Sequence, residues 1–90
     1  MKTKPTSIPQ GPFAIETLDG ARFIGRNADE IIDGMRSHAY GGEAGESREE
    51  YRGALAERAR LWIKQAVRHD NSEILILDLA EIGLIAIRAL

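Results

Sequence analysis

Arg60, Lys64 and Arg68 recur at steps of four, and this spacing carries the most pointed chemistry in the sequence. On a helix it stacks the three cations along one side. A row of that kind suits a phosphate backbone or an acidic protein surface. Arg52 and Ala56 begin the same row, and Arg58 flanks it. Glu57 is the only acidic residue between positions 51 and 69, so local neutralisation is weak. The plainer reading is a solvated helix face whose last cations complement the helix dipole. Arg58, Arg60, Lys64 and Arg68 are therefore the expected partner-binding or nucleic-acid-binding residues.

The other reactive side chains make no constellation. His38 and His69 are the only histidines, and neither belongs to an HxxH or HExxH pattern. No carboxylate sits four residues from either one on a shared face, so no metal site is expected. His69 falls at the end of the expected long helix, where an imidazolium is favoured. His38 borders an apolar stripe, which suits packing or capping. Asp29, Glu30, Asp33, Glu49 and Glu50 lie in first helical turns, where acids are common in any case. Ser37, Ser47 and Ser72 belong to helices or their caps, and Ser7 to a tail. The glycines at 41, 42 and 45 raise a phosphate-binding loop, which fails on register: its first glycine falls at Tyr40 and its lysine at Glu46. The chain has no cysteine, which removes disulfides, thiolate metal sites and a cysteine nucleophile. No catalytic residue and no cofactor are expected, and the chain reads as a non-enzyme.

The elements that position these side chains follow from periodicity and punctuation. The longest helical pattern runs from Ser47 to Asp70. It opens with a capping box of Ser47 and Glu50, in which hydroxyl and carboxylate each satisfy an orphan N–H. Tyr51, Leu55, Ala59, Trp62, Ile63 and Ala66 then recur at helical steps, which predicts one long helix with Trp62, the sole tryptophan, in the core. Exposure of Trp62 or Tyr51 would instead offer that helix to a second copy, as a homodimer across a two-fold axis.

Upstream, residues 13–25 predict a β-hairpin around Asp19-Gly20. A three-residue loop with a left-handed Gly20 pairs Thr17 with Ala21, Ile15 with Phe23 and Phe13 with Gly25. This register gathers Phe13, Ile15 and Phe23 on one face and sets Glu16 against Arg22 on the other. A coherent buried face selects it over the two-residue turn. Asn27 and Glu30 predict a second capping box, followed by a helix over 28–39 with Ala28, Ile31, Ile32, Met35 and Ala39 inward. Gly34 inside this helix suggests close packing. Gly41-Gly42 ends it.

Ser72 is the expected cap of a third helix over 73–82, ended by a left-handed Gly83. Residues 74–79 taken alone also suit a buried strand, and the flanking cap and glycine favour the helix. Residues 84–90 read as a strand that joins the hairpin. The expected fold is a small α+β domain over 13–90: a hairpin, three helices and a closing strand in a three-stranded sheet. Residues 1–12 hold all three prolines and are expected to be a flexible tail.

Twelve Lys and Arg against 14 Asp and Glu leave a net charge of −2, which disfavours a protein that coats nucleic acid generally. No apolar run is long enough to span a bilayer and no secretory signal opens the chain, so a soluble cytoplasmic protein is expected.

The joint Leu79-Ala80-Glu81-Ile82-Gly83-Leu84-Ile85 looks like the helix–Gly–strand joint of winged-helix domains, although the chain stops at Leu90 with no second wing strand. The layout of Asp19-Gly20, Ile31-Ile32 with Met35, Tyr51-Arg52 and Gly83-Leu84-Ile85 loosely resembles small proteins of phages and mobile elements. That resemblance implies no activity. The expected function is a non-enzymatic interaction module for a protein partner, such as a phage or mobile-element regulator or inhibitor. The alternative is nucleic-acid binding through the basic row.

Overall fold

Asp19-Gly20 turns the chain in the bulged register that the apolar face requires. Strands β1 (Phe13–Thr17) and β2 (Arg22–Gly25) pair antiparallel, with Ile15 opposite Phe23 and Phe13 opposite Gly25. Gly20 takes φ +90°, and the Thr17 N–H donates to the Ala21 carbonyl at 2.9 Å. The computed structural model describes residues 8–38 and 47–90. Most of the expected tail (1–7), Ala39, the Gly41-Gly42 stop and the loop through Glu46 lie outside these residues. Ile8, within the expected tail, packs against the core.

Three helices follow, α1 (Ala28–Ser37), α2 (Arg48–Ile63) and α3 (Ser72–Glu81), and then strand β3 (Ile85–Ala89). β3 pairs antiparallel with β1, so the sheet order is β2-β1-β3 and the first strand is central. Phe13 and Ile15 thus lie at the middle of the sheet. They are fully buried together with Ile31, Ile32, Tyr51, Leu75 and Ile76 from the three helices. On the outer face Glu16 stands opposite Arg22, and its carboxylate accepts from Arg88 of β3 at 3.0 Å.

The caps explain the helix starts. The Asn27 side chain accepts from the Glu30 N–H at 2.9 Å. The return bond differs from the expected box, because Glu30 accepts from the backbone of Arg26 at 2.8 Å and grips its guanidinium as well. Ser47 and Glu50 form the full reciprocal box. For α3 the cap is Asn71, one residue earlier than expected. Ser72 is the first helical residue, buried, and its hydroxyl donates to Asp29 at 2.6 Å. A buried hydroxyl needs a partner, and the first turn of α1 supplies one. At the other end Gly83, at φ +85°, forms a Schellman motif. Its N–H donates to Ala80 at 3.1 Å and the Leu84 N–H donates to Leu79 at 3.0 Å.

The long helix is shorter than its periodicity predicts. It ends at Ile63, and Lys64 turns the chain with a left-handed backbone, φ 61° and ψ 30°. Residues 65–69 then run back irregularly. Arg52 Nε donates to the His69 carbonyl at 3.3 Å, and Val67 drops into the core. His69 consequently lies in this return segment and caps no helix. The stop lets Val67 join the core, whereas the expected continuation would have buried Ala66, which is exposed.

Candidate functional site

The last two turns of α2 carry the apolar surface that the core leaves uncovered. Tyr51, Leu55 and Ala59 face inward as periodicity dictates, and Ala56, expected in the basic row, is buried with them. Trp62 continues the same stripe, yet it is 68% exposed, which corrects its expected place in the core. The stripe runs past the end of the elements that could cover it. Leu61 beside it is 54% exposed, and Leu18, at the tip of the hairpin loop, is 77% exposed. Bonds from the Thr17 side chain to Asp19 and from the Ala21 N–H to Thr17 Oγ1 hold that tip.

Between Leu18 and Trp62 lies a narrow cleft of about 70 Å³. Met35, Leu55 and Leu79 are its buried floor, and Leu18, Trp62 and Leu84 its rim. A cavity for a small-molecule substrate or cofactor occupies roughly 300–1,000 Å³. This one accepts the tip of a single side chain. Arg58 is the one charged residue lining it.

The basic row does not form as a row. Arg58 and Arg60 are on α2, Lys64 is its C-cap, and Arg68 lies in the return segment. Arg60 grips Glu57 with two bonds of 3.0 and 2.6 Å. Arg68 binds Asp78 of α3 through its backbone N–H at 2.9 Å and its guanidinium at 3.1 and 2.8 Å. The guanidinium hydrogen bond holds the Asp78 carboxyl below the usual carboxylate range, against the opposing effect of its partial burial. Two of the four expected binding cations are thus neutralised. Among the described residues, Arg58 and Lys64 have no ion pair.

No protein-family model, curated protein or solved structure matches the chain.

Open hollows lie elsewhere on the described surface. One of about 570 Å³ lies beside the return segment, lined by Gln65, Ala66, Arg68, Asp78, Glu81 and Ile82, and its one cation, Arg68, is paired with Asp78. The N-termini of α1 and α3 flank another hollow, but Asp29 and Glu73 there oppose an anion. His38 caps α1, with Nδ1 2.9 Å from the Gly34 carbonyl, and its ring meets Phe23 edge-on at 5.9 Å. Among the described residues no group of three or more His, Asp or Glu is placed to hold a metal ion. No described helix is long and apolar enough to cross a membrane.

Leu18, Leu61 and Trp62 are the surface residues that periodicity alone passes over. Leu18 was readable, since the bulged register places it in the loop. Consecutive Leu61 and Trp62 were a further signal, because one narrow stripe cannot bury two large adjacent side chains.

Proposed function

We propose that this chain is a small non-enzymatic interaction module that docks a protein partner through the Trp62 end of α2. The observation that carries this reading is Trp62 itself, two-thirds exposed and, with the exposed Leu18, at the mouth of an apolar cleft. Contiguous exposed apolar surface commonly marks an interaction site, and tryptophan is among the residues that contribute most when buried at an interface. Size and cofactor-free composition suit a cytoplasmic regulator or inhibitor of a phage or mobile element, the setting that the sequence resemblance implies.

Quantitative affinity capture with wild type, Trp62→Ser and a control on the outer sheet face, Ile24→Ser, tests the reading. Ile24 is also exposed, so the control matches the loss of an apolar surface residue. The expected result is a partner retained by Ile24→Ser and lost by Trp62→Ser. Equal capture by all three would overturn the docking site.

A second reading rests on the same exposure. Trp62 beside unpaired Arg58 and Lys64 offers a stacking surface with two cations for single-stranded nucleic acid. Two phosphate contacts would give a salt slope of roughly −1.4 on logarithmic axes. The protein reading is favoured because Leu18 and Leu61 are aliphatic and present no π-face to a base.

A further inference from the structure

We infer that the segment docked at Trp62 carries a bulky apolar side chain flanked by carboxylates. This rests on the docking reading above and specifies the partner's chemistry.

The charge pattern of α2 and its return segment carries the inference. Arg48, Arg60 and Arg68 each hold a carboxylate, from Asp33, Glu57 and Asp78. Arg52 bonds the His69 carbonyl. Arg52, Arg58 and Lys64 have no ion pair among the described residues, and of these only Arg52 has a side-chain hydrogen bond there. Arg58 lines the apolar cleft, and Lys64 follows Trp62 by two positions. In a chain with more acids than bases, the one charged residue lining the cleft is a cation without an ion pair, and a second such cation lies two positions beyond Trp62. Two whole charges there outweigh the partial negative charge of the helix C-terminus.

Cleft size sets the anchor. About 70 Å³ is little more than two water molecules' share of liquid volume, so one aliphatic or aromatic tip fills it. The floor of Met35, Leu55 and Leu79 offers that tip no polar partner. Carboxylates near the anchor would meet Arg58 in the cleft and Lys64 at the end of α2, and such complementary charge sets specificity and capture rate.

The same charges disfavour a second copy of this chain. A two-fold pairing centred on Trp62 would gather both copies' Arg58 and Lys64 at one seam without carboxylates of their own, and like charges there oppose association. Nucleic acid would satisfy the cations, but the polar edge of a base would find no hydrogen-bond partner on the apolar floor of the cleft.

The test is a random peptide display library panned on the wild-type chain, with counter-selection on Trp62→Ser. The expected consensus is one Leu, Ile, Met or Phe with at least two Asp or Glu nearby. The best peptide, synthesised, should bind with a change in Trp62 fluorescence. Its affinity should fall about tenfold or more on Arg58→Glu/Lys64→Glu, and a peptide with Lys replacing its acids should recover part of that loss. All three positions are exposed, so the variants should fold, and urea unfolding confirms it. Peptides that depend on Trp62 but lack acids, and bind the charge-reversed chain equally well, would overturn this inference and leave the docking site standing. No enrichment above the Trp62→Ser background would overturn both. Displacement of the peptide by single-stranded DNA or RNA, or a Trp62-dependent dimer in sedimentation, would replace the acidic segment with that occupant.

Discussion

Arg48 and Asp33, 15 residues apart in the chain, meet in a two-pronged ion pair, Nε to Oδ1 at 3.0 Å and Nη2 to Oδ2 at 2.7 Å. Arg48 is the first residue of α2 and Asp33 lies midway along α1, and the same guanidinium also reaches Asp29 at 3.4 Å. One side chain therefore ties the start of the second helix to the flank of the first.

The pair makes stability fall in acid. The Arg48 hydrogen bond, aided by Arg36, holds the Asp33 carboxyl below the usual carboxylate range, against partial burial. A carboxylate lowered on folding stabilises fully above its unfolded pKa of about 3.9, and that contribution disappears as pH falls through the lower folded value. Asp78 behaves in the same way through Arg68. Urea midpoints measured from pH 6 down to pH 2 should drop below about pH 4. The drop should be shallower in Asp33→Asn/Asp78→Asn. An identical profile in that variant would show that neither pair contributes.

Two glycines should respond oppositely to alanine. A Cβ at Gly25 would lie 2.8 Å from the Glu30 Cβ and 3.0 Å from the Ile31 nitrogen, at the tight entry from β2 into α1. Gly25→Ala should cost about 1–3 kcal/mol through overpacking. At Gly34 the nearest contact is Phe23 Cδ1 at 3.8 Å, an ordinary distance, which corrects the expectation of close packing there. Gly34→Ala should stabilise by about 0.5–1 kcal/mol. Denaturant unfolding distinguishes the two signs.

Lys64 is the one described non-glycine residue with positive φ. A left-handed backbone costs a residue with Cβ about 1 kcal/mol, and glycine avoids this. Lys64→Gly should raise stability by roughly 0.5 kcal/mol, the gain being reduced by the extra freedom of glycine in the unfolded chain. A destabilised variant would mean that the lysine side chain contributes more than its backbone costs.

Trp62 reports directly on its own exposure, since the chain has no other tryptophan. Native protein should emit at the long-wavelength, solvent-exposed end of the tryptophan range and be quenched readily by iodide. Emission should change little on unfolding and shift to shorter wavelength when a partner covers the cleft. A blue-shifted, quencher-resistant native spectrum would contradict the exposed position.

Local chemistry was readable where it is local in cause. Asp19-Gly20 with one coherent apolar face set the hairpin register, and Asn27, Ser47 and Gly83 marked helix ends by their own backbone and side-chain bonds. The end of α2 was hidden because neither Gly nor Pro marks it and the helical period continues through Ala66. What stops the helix is tertiary: Val67 returns to the core and Arg68 reaches Asp78. The exposure of Trp62 is hidden from the sequence for a related reason. Periodicity identifies a face, but the length of that face that is covered depends on the neighbouring elements. The two ion pairs of Arg60 and Arg68 show the same difference, since Glu57 lies three positions from one and Asp78 lies ten from the other.

The strand order has a consequence for synthesis on the ribosome. The central strand, β1, is made first, and its second neighbour, β3, is made last, with Thr17 pairing with Ile85. Until Ile85–Ala89 emerges, Phe13 and Ile15 belong to a two-stranded ribbon, which is marginal in water. The nascent chain must therefore wait for its closing strand before the sheet can form, however early its helices appear. A chain ending at Leu84 should accordingly lack a cooperative urea transition, and adding residues 85–90 as a separate peptide should restore one.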